Sequence, residues 1–149
     1  MGSNKKNSKN ILVTGGAGYI GSHVAIKLAE AGESVVVLDN LSTGFKSAVP
    51  LGELVIGDTG DKELVTNLLR DRDIDTVLHF AAHIKVPESV ENPLKYYRNN
   101  TCASRNLIEC AANAGVRNFV FSSTDQFQID ESLGKGAFGQ VYLGKNRVD

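Results

Sequence analysis

Two glycine-rich segments of this 149-residue chain have the spacing of loops that bind phosphate groups. Segment 14–21 reads TGGAGYIG, and segment 134–141 reads GKGAFGQV. Closely spaced glycines let backbone N–H groups approach an anionic oxygen, because no Cβ atom stands in the way. Both segments therefore indicate nucleotide chemistry, and the elements around each one decide whether it could form a working site.

The first segment has the surroundings that a dinucleotide site requires. Its glycines Gly15, Gly18 and Gly21 lie between a predicted strand and a predicted helix. One glycine permits the tight turn, one lets the backbone approach a pyrophosphate, and one lets helix and strand pack closely. The helix N-terminus adds free N–H groups and partial positive charge. The alternative is a glycine turn that only packs helix on strand.

An acidic residue at the expected spacing favours the dinucleotide interpretation. Asp39 ends the second predicted strand, 18 residues after Gly21. A carboxylate about 20 residues after such glycines accepts a hydrogen bond from a ribose hydroxyl. The same negative charge repels the additional phosphate of NADP. The sequence therefore predicts NAD as the cofactor.

The elements that must position these residues alternate between strand and helix. Alternation of this kind predicts an α/β fold with a parallel sheet, and strands that are apolar throughout are expected when helices cover both faces. We predict a Rossmann-type doubly wound sheet, truncated at about five strands. The predicted strands span 11–14, 34–39, 54–57, 76–81 and 118–123, and the predicted helices span 19–31, 61–72 and 94–114.

Composition excludes several classes of function. The chain is 42% hydrophobic with a formal net charge of -1, so no basic excess indicates nucleic-acid binding. No apolar run approaches the ~20 residues that cross a bilayer, so we expect no membrane association. Residues 1–10 lack the apolar core of a secretory signal and resemble a tag or disordered leader. These features together predict a cytoplasmic protein.

Cysteine and histidine are sparse and do not form a recognisable ligand set. Cys102 and Cys110 fall eight residues apart in one predicted helix, about 12 Å at 1.5 Å per residue, which is too far for a disulfide. We therefore expect two buried free thiols. The three histidines, His23, His79 and His83, share no ligand spacing with these cysteines, so we expect no metal site.

Several segments together resemble the extended short-chain dehydrogenase/reductase family, and within it most closely the NAD-binding domain of the UDP-glucose 4-epimerases. They are TGGAGYIG at 14–21, DNLSTG at 39–44, HFAAH at 79–83, PLKYYRNN at 93–100 and FSST at 121–124. The resemblance covers residues 11–124. It implies NAD contacts from Gly15, Gly18, Tyr19, Ile20, Gly21, Asp39, Asn40, Leu41, Ser42, Thr43, Gly44, Asp58, Thr59, Phe80, Ala81, Ala82, His83 and Asn99.

The catalytic residues that the resemblance implies are incomplete. In that family a Tyr-x-x-x-Lys pair transfers the proton, with the lysine lowering the pKa of the tyrosine. None of the four tyrosines in this sequence is followed by lysine four positions later. Thr124 matches the catalytic serine or threonine and is a remnant only. We therefore expect cofactor binding without efficient epimerisation, since the residues of the UDP-sugar domain are also missing.

The second glycine segment resembles the first hairpin of a protein kinase. Two strands, 127–133 and 140–143, are predicted on either side of its turn. A working kinase also needs a lysine on the next strand, a catalytic aspartate and a magnesium-binding Asp-Phe-Gly, and none of these follows in the sequence. An isolated hairpin is marginal in water, so we expect it to pack on, or pair with, the sheet.

We therefore predict a composite chain. A leader occupies 1–10, an NAD-binding Rossmann domain 11–124, and a kinase-like segment that is not an independent domain 125–149. The second interpretation is a non-catalytic chimeric or engineered scaffold that retains no cofactor, and the third is a nucleotide-binding kinase fragment. The exposed sheet edge, or the hairpin, could also pair two chains into a homodimer.

Overall fold

Five parallel strands form the central sheet of the protein. The computed structural model describes residues 8–122, 127–136 and 139–146. The order β3-β2-β1-β4-β5 places the first strand in the middle, with the chain winding outward to either side. This confirms the predicted Rossmann-type doubly wound sheet. The strands are β1 (Asn10–Thr14), β2 (Ser34–Asp39), β3 (Glu53–Ile56), β4 (Thr76–His79) and β5 (Asn118–Phe121).

Helices cover both faces of this sheet. Helix α1 (Tyr19–Glu30) follows the glycine turn, and α2 (Lys62–Asp71) begins at Asp61, whose side chain accepts a hydrogen bond from Leu64 N–H. Three further helices follow β4: α3 (Val86–Glu91), α4 (Pro93–Tyr96) and α5 (Ala103–Asn113). A short 3₁₀ turn, Lys46–Ala48, lies between β2 and β3.

The core is divided by the sheet, which explains why the strands are apolar on both sides. Leu12 and Leu38 point toward α2 and α5, where they meet Leu69 and Leu107 in one cluster. The intervening strand residues, with Val13 among them, pack with Ala25 of α1 on the opposite face. Alternate residues of one strand therefore lie in different clusters, as the two-residue period of a strand requires.

The predicted third helix, 94–114, is interrupted. Residues Tyr97–Cys102 form a π-helical turn between α4 and α5. A π-turn adds a residue to the helical repeat and shifts the side chains that follow it. Apolar periodicity did not reveal this break, because the residues on both sides of it remain helical. Helix α3 was also not predicted.

The prediction of two buried thiols is confirmed for Cys110 and wrong for Cys102. Cys110 is buried in α5, where it receives a hydrogen bond from Thr66 Oγ1 at 3.5 Å. Cys102 is exposed. Cys102 is the last residue of the π-helical turn. A π-turn rotates the side chains relative to a regular α-helix, so Cys102 does not point to the buried face of α5 on which Cys110 lies.

A separate antiparallel sheet contains the second glycine segment. Its strands are β6 (Phe127–Gly136) and β7 (Gly139–Asn146), with register shifts that mark irregular pairing. The predicted strands 127–133 and 140–143 lie within them. The likeness of this hairpin to a kinase remains a prediction.

Candidate functional site

A cleft of about 320 Å³ lies at the carboxyl edge of the sheet. The turns that follow β1, β2, β3 and β4 all open into it, because strands in a parallel sheet end at the same edge. The cleft lies where the winding of the sheet reverses on either side of β1, the usual ligand position in open α/β sheets. Its floor and walls include Gly15, Gly18, Asp39, Asp58 and Phe80.

The three glycines of the first motif have distinct geometric roles. Gly15 has a φ of +69°, and a Cβ atom there would lie 2.6 Å from the backbone nitrogen of Ala81. A Cβ on Gly21 would overlap the carbonyl of Gly15. Gly18 differs, because its only near neighbour would be the Gly15 oxygen at 3.3 Å. Gly15 and Gly21 therefore maintain the turn, and Gly18 presents bare backbone to the cleft.

The N-terminus of α1 is available to an anion. No side chain caps this helix, and its first turn contains no acidic residue. The first N–H groups of a helix have no intrahelical partner and carry partial positive charge. Helix α2 differs, since Asp61 caps it. The open N-terminus of α1 therefore fits a phosphate group.

Asp39 is oriented by two backbone N–H groups. Ala17 N–H donates to Oδ2 at 2.9 Å, and Leu41 N–H donates to Oδ1 at 2.8 Å. The residue is 9% exposed and lines the cleft. Each carboxylate oxygen can accept a further hydrogen bond, so the group remains able to receive ribose hydroxyls. The carboxylate thus connects the glycine turn to the loop after β2.

A second carboxylate, that of Asp58, also lines the cleft and follows β3 in the chain. Asn40 Nδ2 donates to its Oδ2 at 3.0 Å, and Gly60 N–H donates to its Oδ1 at 2.7 Å. The adjacent carbonyl of Thr59 accepts a hydrogen bond from Asn106 Nδ2 of α5 at 2.7 Å. Contacts from β2 and α5 therefore fix this side of the cleft.

The opposite wall is the loop after β4, which the π-helical turn holds in position. Asn100 Oδ1 accepts from His83 N–H at 2.8 Å, and Asn100 Nδ2 donates to the carbonyl of His83 at 2.8 Å. The His83 ring lies 5.5 Å from that of Tyr96. Asn99, the neighbour of Asn100, lines the cleft. The π-helical turn therefore places the Asn99 side chain at the cleft and uses the Asn100 amide to hold the loop.

His79 lies beneath this wall and is 2% exposed. Its Nδ1 is hydrogen-bonded to Thr14 Oγ1 at 2.6 Å, and its Nε2 to Ser104 Oγ at 2.7 Å. The ring thus connects the ends of β1 and β4 to α5, immediately before Gly15. Burial lowers the pKa of His79 from 6.5 to about 4, because the charged imidazolium is poorly solvated there.

This depressed pKa predicts a loss of stability in mild acid. Unfolded protein binds a proton at His79 near pH 6.5, and folded protein does so only near pH 4. The free energy of unfolding should therefore fall by about 2 kcal/mol between pH 7 and pH 5. Urea titrations at the two pH values measure this. His79→Gln cannot titrate, and an equally large decrease in that variant would contradict the assignment.

The sequence pattern of the NAD dependent epimerase/dehydratase family matches residues 11–133, more than half of the chain. The chain belongs to this family. The match extends to residue 133, beyond Thr124, at which the resemblance was predicted to end. As the family description states, its members are NAD dependent.

Curated relatives within this family are UDP-glucose 4-epimerases. That of Azospirillum brasilense is 52% identical over 118 residues, covering 78% of this chain and 34% of that protein. The Lactobacillus helveticus enzyme is 50% identical over 115 residues, covering 76% and 35%. The chain therefore spans about a third of the length of these relatives.

Solved structures show the same relationship. The UDP-glucose 4-epimerase of Brucella ovis in complex with NAD matches with a TM-score of 0.76 and 40% identity, covering 92% of this chain and 43% of that one. The Thermus thermophilus enzyme, also a complex with NAD, gives a TM-score of 0.74 and 41% identity, covering 77% and 37%. These identities support a shared family as well as a shared fold.

Most of the predicted cofactor contacts of this epimerase-family chain come together in the cleft. Two do not line it. Leu41 donates its N–H to Asp39, and Gly44 approaches Ala17 so closely that a Cβ would lie 2.8 Å from it. Thr124 lies outside the described residues. The predicted residues that line the cleft are Gly15, Gly18, Tyr19, Ile20, Gly21, Asp39, Asn40, Ser42, Thr43, Asp58, Thr59, Phe80, Ala81, Ala82, His83 and Asn99.

Sequence reasoning missed four residues that line the cleft: Leu38, Gly57, Ile84 and Ser122. Each lies next to or within a segment that contains predicted site residues. Including one or two more residues at each strand end would have found them. Ser122 is the clearest case. Its N–H donates to the His79 carbonyl at 3.0 Å, and it belongs to the FSST segment from which only Thr124 was selected.

Within residues 8–122, 127–136 and 139–146, no group of three or more histidine, cysteine or acidic side chains could hold a metal ion. In the same residues, no helix is long and apolar enough to cross a membrane.

Proposed function

We propose that this chain is an NAD-binding domain whose cofactor lies in the cleft at the carboxyl edge of the sheet. The observation that carries the proposal is the arrangement of Gly18, the open N-terminus of α1 and Asp39 around one cleft. The pyrophosphate would lie against Gly18 and the first turn of α1, and the adenosine ribose against Asp39.

The remaining lining residues complete the proposed site. Asp58 and Thr59 would hold the adenine end, while Phe80, His83 and Asn99 would lie on the nicotinamide side. The structures of the Brucella ovis and Thermus thermophilus relatives in complex with NAD support this choice of cofactor. When bound, NAD supplies a group that accepts and returns a hydride.

Isothermal titration calorimetry on cofactor-free protein tests this proposal. NAD should bind at one site per chain, and NADP should bind at least about 100-fold more weakly, a difference of about 2.7 kcal/mol. Native mass spectrometry of freshly purified protein provides a second measurement, with retained NAD as the expected result. A chain that binds neither dinucleotide would support the scaffold interpretation instead.

We further propose that this chain does not epimerise UDP-sugars efficiently by itself. None of its tyrosines has the lysine partner of a Tyr-x-x-x-Lys pair, and proton transfer by such groups is worth about 10²–10⁴-fold in rate. Purified chain with NAD and UDP-galactose should produce UDP-glucose no faster than buffer. The Azospirillum brasilense enzyme is the positive control, and turnover above the buffer rate would contradict the proposal.

The edge of the sheet supports a third part of the proposal, association into a homodimer. Strand β5 pairs with β4 on one side, and no other described strand pairs with it on the second side. Val120 and Phe121 are 52% and 57% exposed there. Unpaired edges invite pairing with a second chain. Light scattering should give a dimer mass that is lost in Val120→Lys, because a charged side chain on the edge strand opposes pairing, and a dimer mass retained in that variant would count against the proposal.

A further inference from the structure

A second pocket, of about 750 Å³, adjoins the cofactor cleft. It lies between the turn after β3, the loop after β4 and the segment from α4 to α5. Asp58, His83 and Asn99 line both cavities, so these three residues form their shared boundary. No step in the proposed binding of NAD uses this second pocket.

The adenine end of the proposed cofactor would point toward this opening. With the pyrophosphate at Gly18 and the ribose at Asp39, the base extends beyond β2 toward the neighbouring edge strand β3. The polar side chain at the end of β3 is Asp58, whose carboxylate is fixed by Asn40 and Gly60. A carboxylate accepts hydrogen bonds, and the exocyclic amino group of adenine donates them. The amino edge of the base would therefore face Asp58, and the second pocket opens past it.

We propose that the second pocket accommodates a substituent on the adenine amino group, so that the site accepts NAD derivatives extended at N6. The inference rests on the proposed binding of NAD and adds a ligand class to the same site. A closed adenine site would exclude any such group by steric overlap. Here the space beyond Asp58 is a pocket rather than packed protein, so it offers room for such a group.

The charges of the pocket favour an acidic substituent. Arg98 lines it, and the Arg98 guanidinium forms no salt bridge or hydrogen bond with any residue that the structure describes. Lys95 also lines it but is paired with Glu88. Among the described lining residues Asp58 is the one acidic side chain, and the adenine amino group would lie against it. A carboxylate beyond that point would therefore meet the Arg98 guanidinium, which binds carboxylates through paired hydrogen bonds.

Two derivatives of similar length and opposite charge test the inference by calorimetry on the 149-residue chain. N6-carboxymethyl-NAD should bind within about threefold of NAD, and about threefold or more tightly than N6-(2-aminoethyl)-NAD. In Arg98→Gln the difference between the two derivatives should shrink to less than about twofold. If N6-carboxymethyl-NAD binds more than about tenfold more weakly than NAD, the inference is wrong.

A large side chain placed in the second pocket provides a further test, with a matched control outside the pocket. Cys102 is exposed and lines the second pocket but not the cofactor cleft. Cys102→Tyr should leave the affinity for NAD within about twofold and weaken N6-carboxymethyl-NAD by about tenfold or more. Arg105→Tyr places the same side chain three residues further along α5, outside the pocket, and should change neither affinity.

The outcomes separate this inference from the proposal on which it rests. Failure of NAD itself to bind would overturn both. Normal NAD binding with exclusion of both derivatives would overturn only the inference, because the pocket would then be closed to the adenine edge. Equal loss of NAD and derivative affinity in Cys102→Tyr would also overturn it, since the two cavities would not act separately.

Discussion

Replacing Gly18 with alanine should weaken NAD binding by at least about 30-fold, or about 2 kcal/mol, with little change in the stability of the fold. The backbone at Gly18 has φ -81° and ψ 176°, an extended conformation that alanine adopts without strain. The new Cβ would meet only the Gly15 oxygen at 3.3 Å and would otherwise project into open space. In the proposed complex the pyrophosphate approaches the backbone through that space. Calorimetry measures the affinity, and urea unfolding measures the stability.

Gly21→Ala is the matched control for this prediction. The same methyl group at Gly21 would overlap the carbonyl of Gly15, so the turn or the helix must shift. Overpacking of this kind costs about 1–3 kcal/mol, and the loss should appear in the free energy of unfolding. If Gly18→Ala destabilised the protein as much as Gly21→Ala, Gly18 would have a packing role and the proposed pyrophosphate position would be wrong.

Asp39→Asn should reduce the preference for NAD over NADP from at least about 100-fold to less than about tenfold. Two effects act together. The neutral amide no longer repels a 2′-phosphate, so NADP binding improves. The amide also has one acceptor where the carboxylate has two, and both Ala17 and Leu41 donate backbone N–H groups to it. One of those donors loses its partner, so NAD binding weakens.

The measurement is a pair of titrations, with NAD and with NADP, on wild type and variant. Asp71→Asn is the control, because it removes the same charge from an exposed position at the end of α2, outside the cleft. Its selectivity should equal that of wild type. An unchanged NAD to NADP ratio in Asp39→Asn would place the ribose away from this carboxylate.

The sheet and the glycine turn could be predicted from local sequence, because their signals are local. All five strands of the parallel sheet appear within a few residues of the predicted bounds, and α1 and α2 lie within the predicted helices 19–31 and 61–72. The ends of the strands were less accurate. Strand β4 ends at His79, two residues before the prediction, and the loop that follows contacts Asn100 through His83 and lines the cleft.

The region after β4 could not be predicted in the same way. An uninterrupted helix over 94–114 satisfies the apolar periodicity, and no residue type there requires a π-helical turn. The turn is accompanied by contacts across the chain: Asn100 binds the backbone of His83, and Tyr96 donates its hydroxyl to Glu88 at 2.9 Å. Such contacts exist only when the loop after β4 has folded against the helix.

The sequence alone determined the chemistry that the chain can attempt: three glycines between a strand and a helix, and an acid at the end of the next strand, specify a dinucleotide turn through spacing along the backbone. Tertiary structure decided everything that depends on residues far apart in sequence. His79 joins Thr14 to Ser104, and the second pocket lies between Asp58 and the π-helical turn. Spacing along the chain records local geometry, whereas these contacts arise from packing between elements, which no single segment encodes.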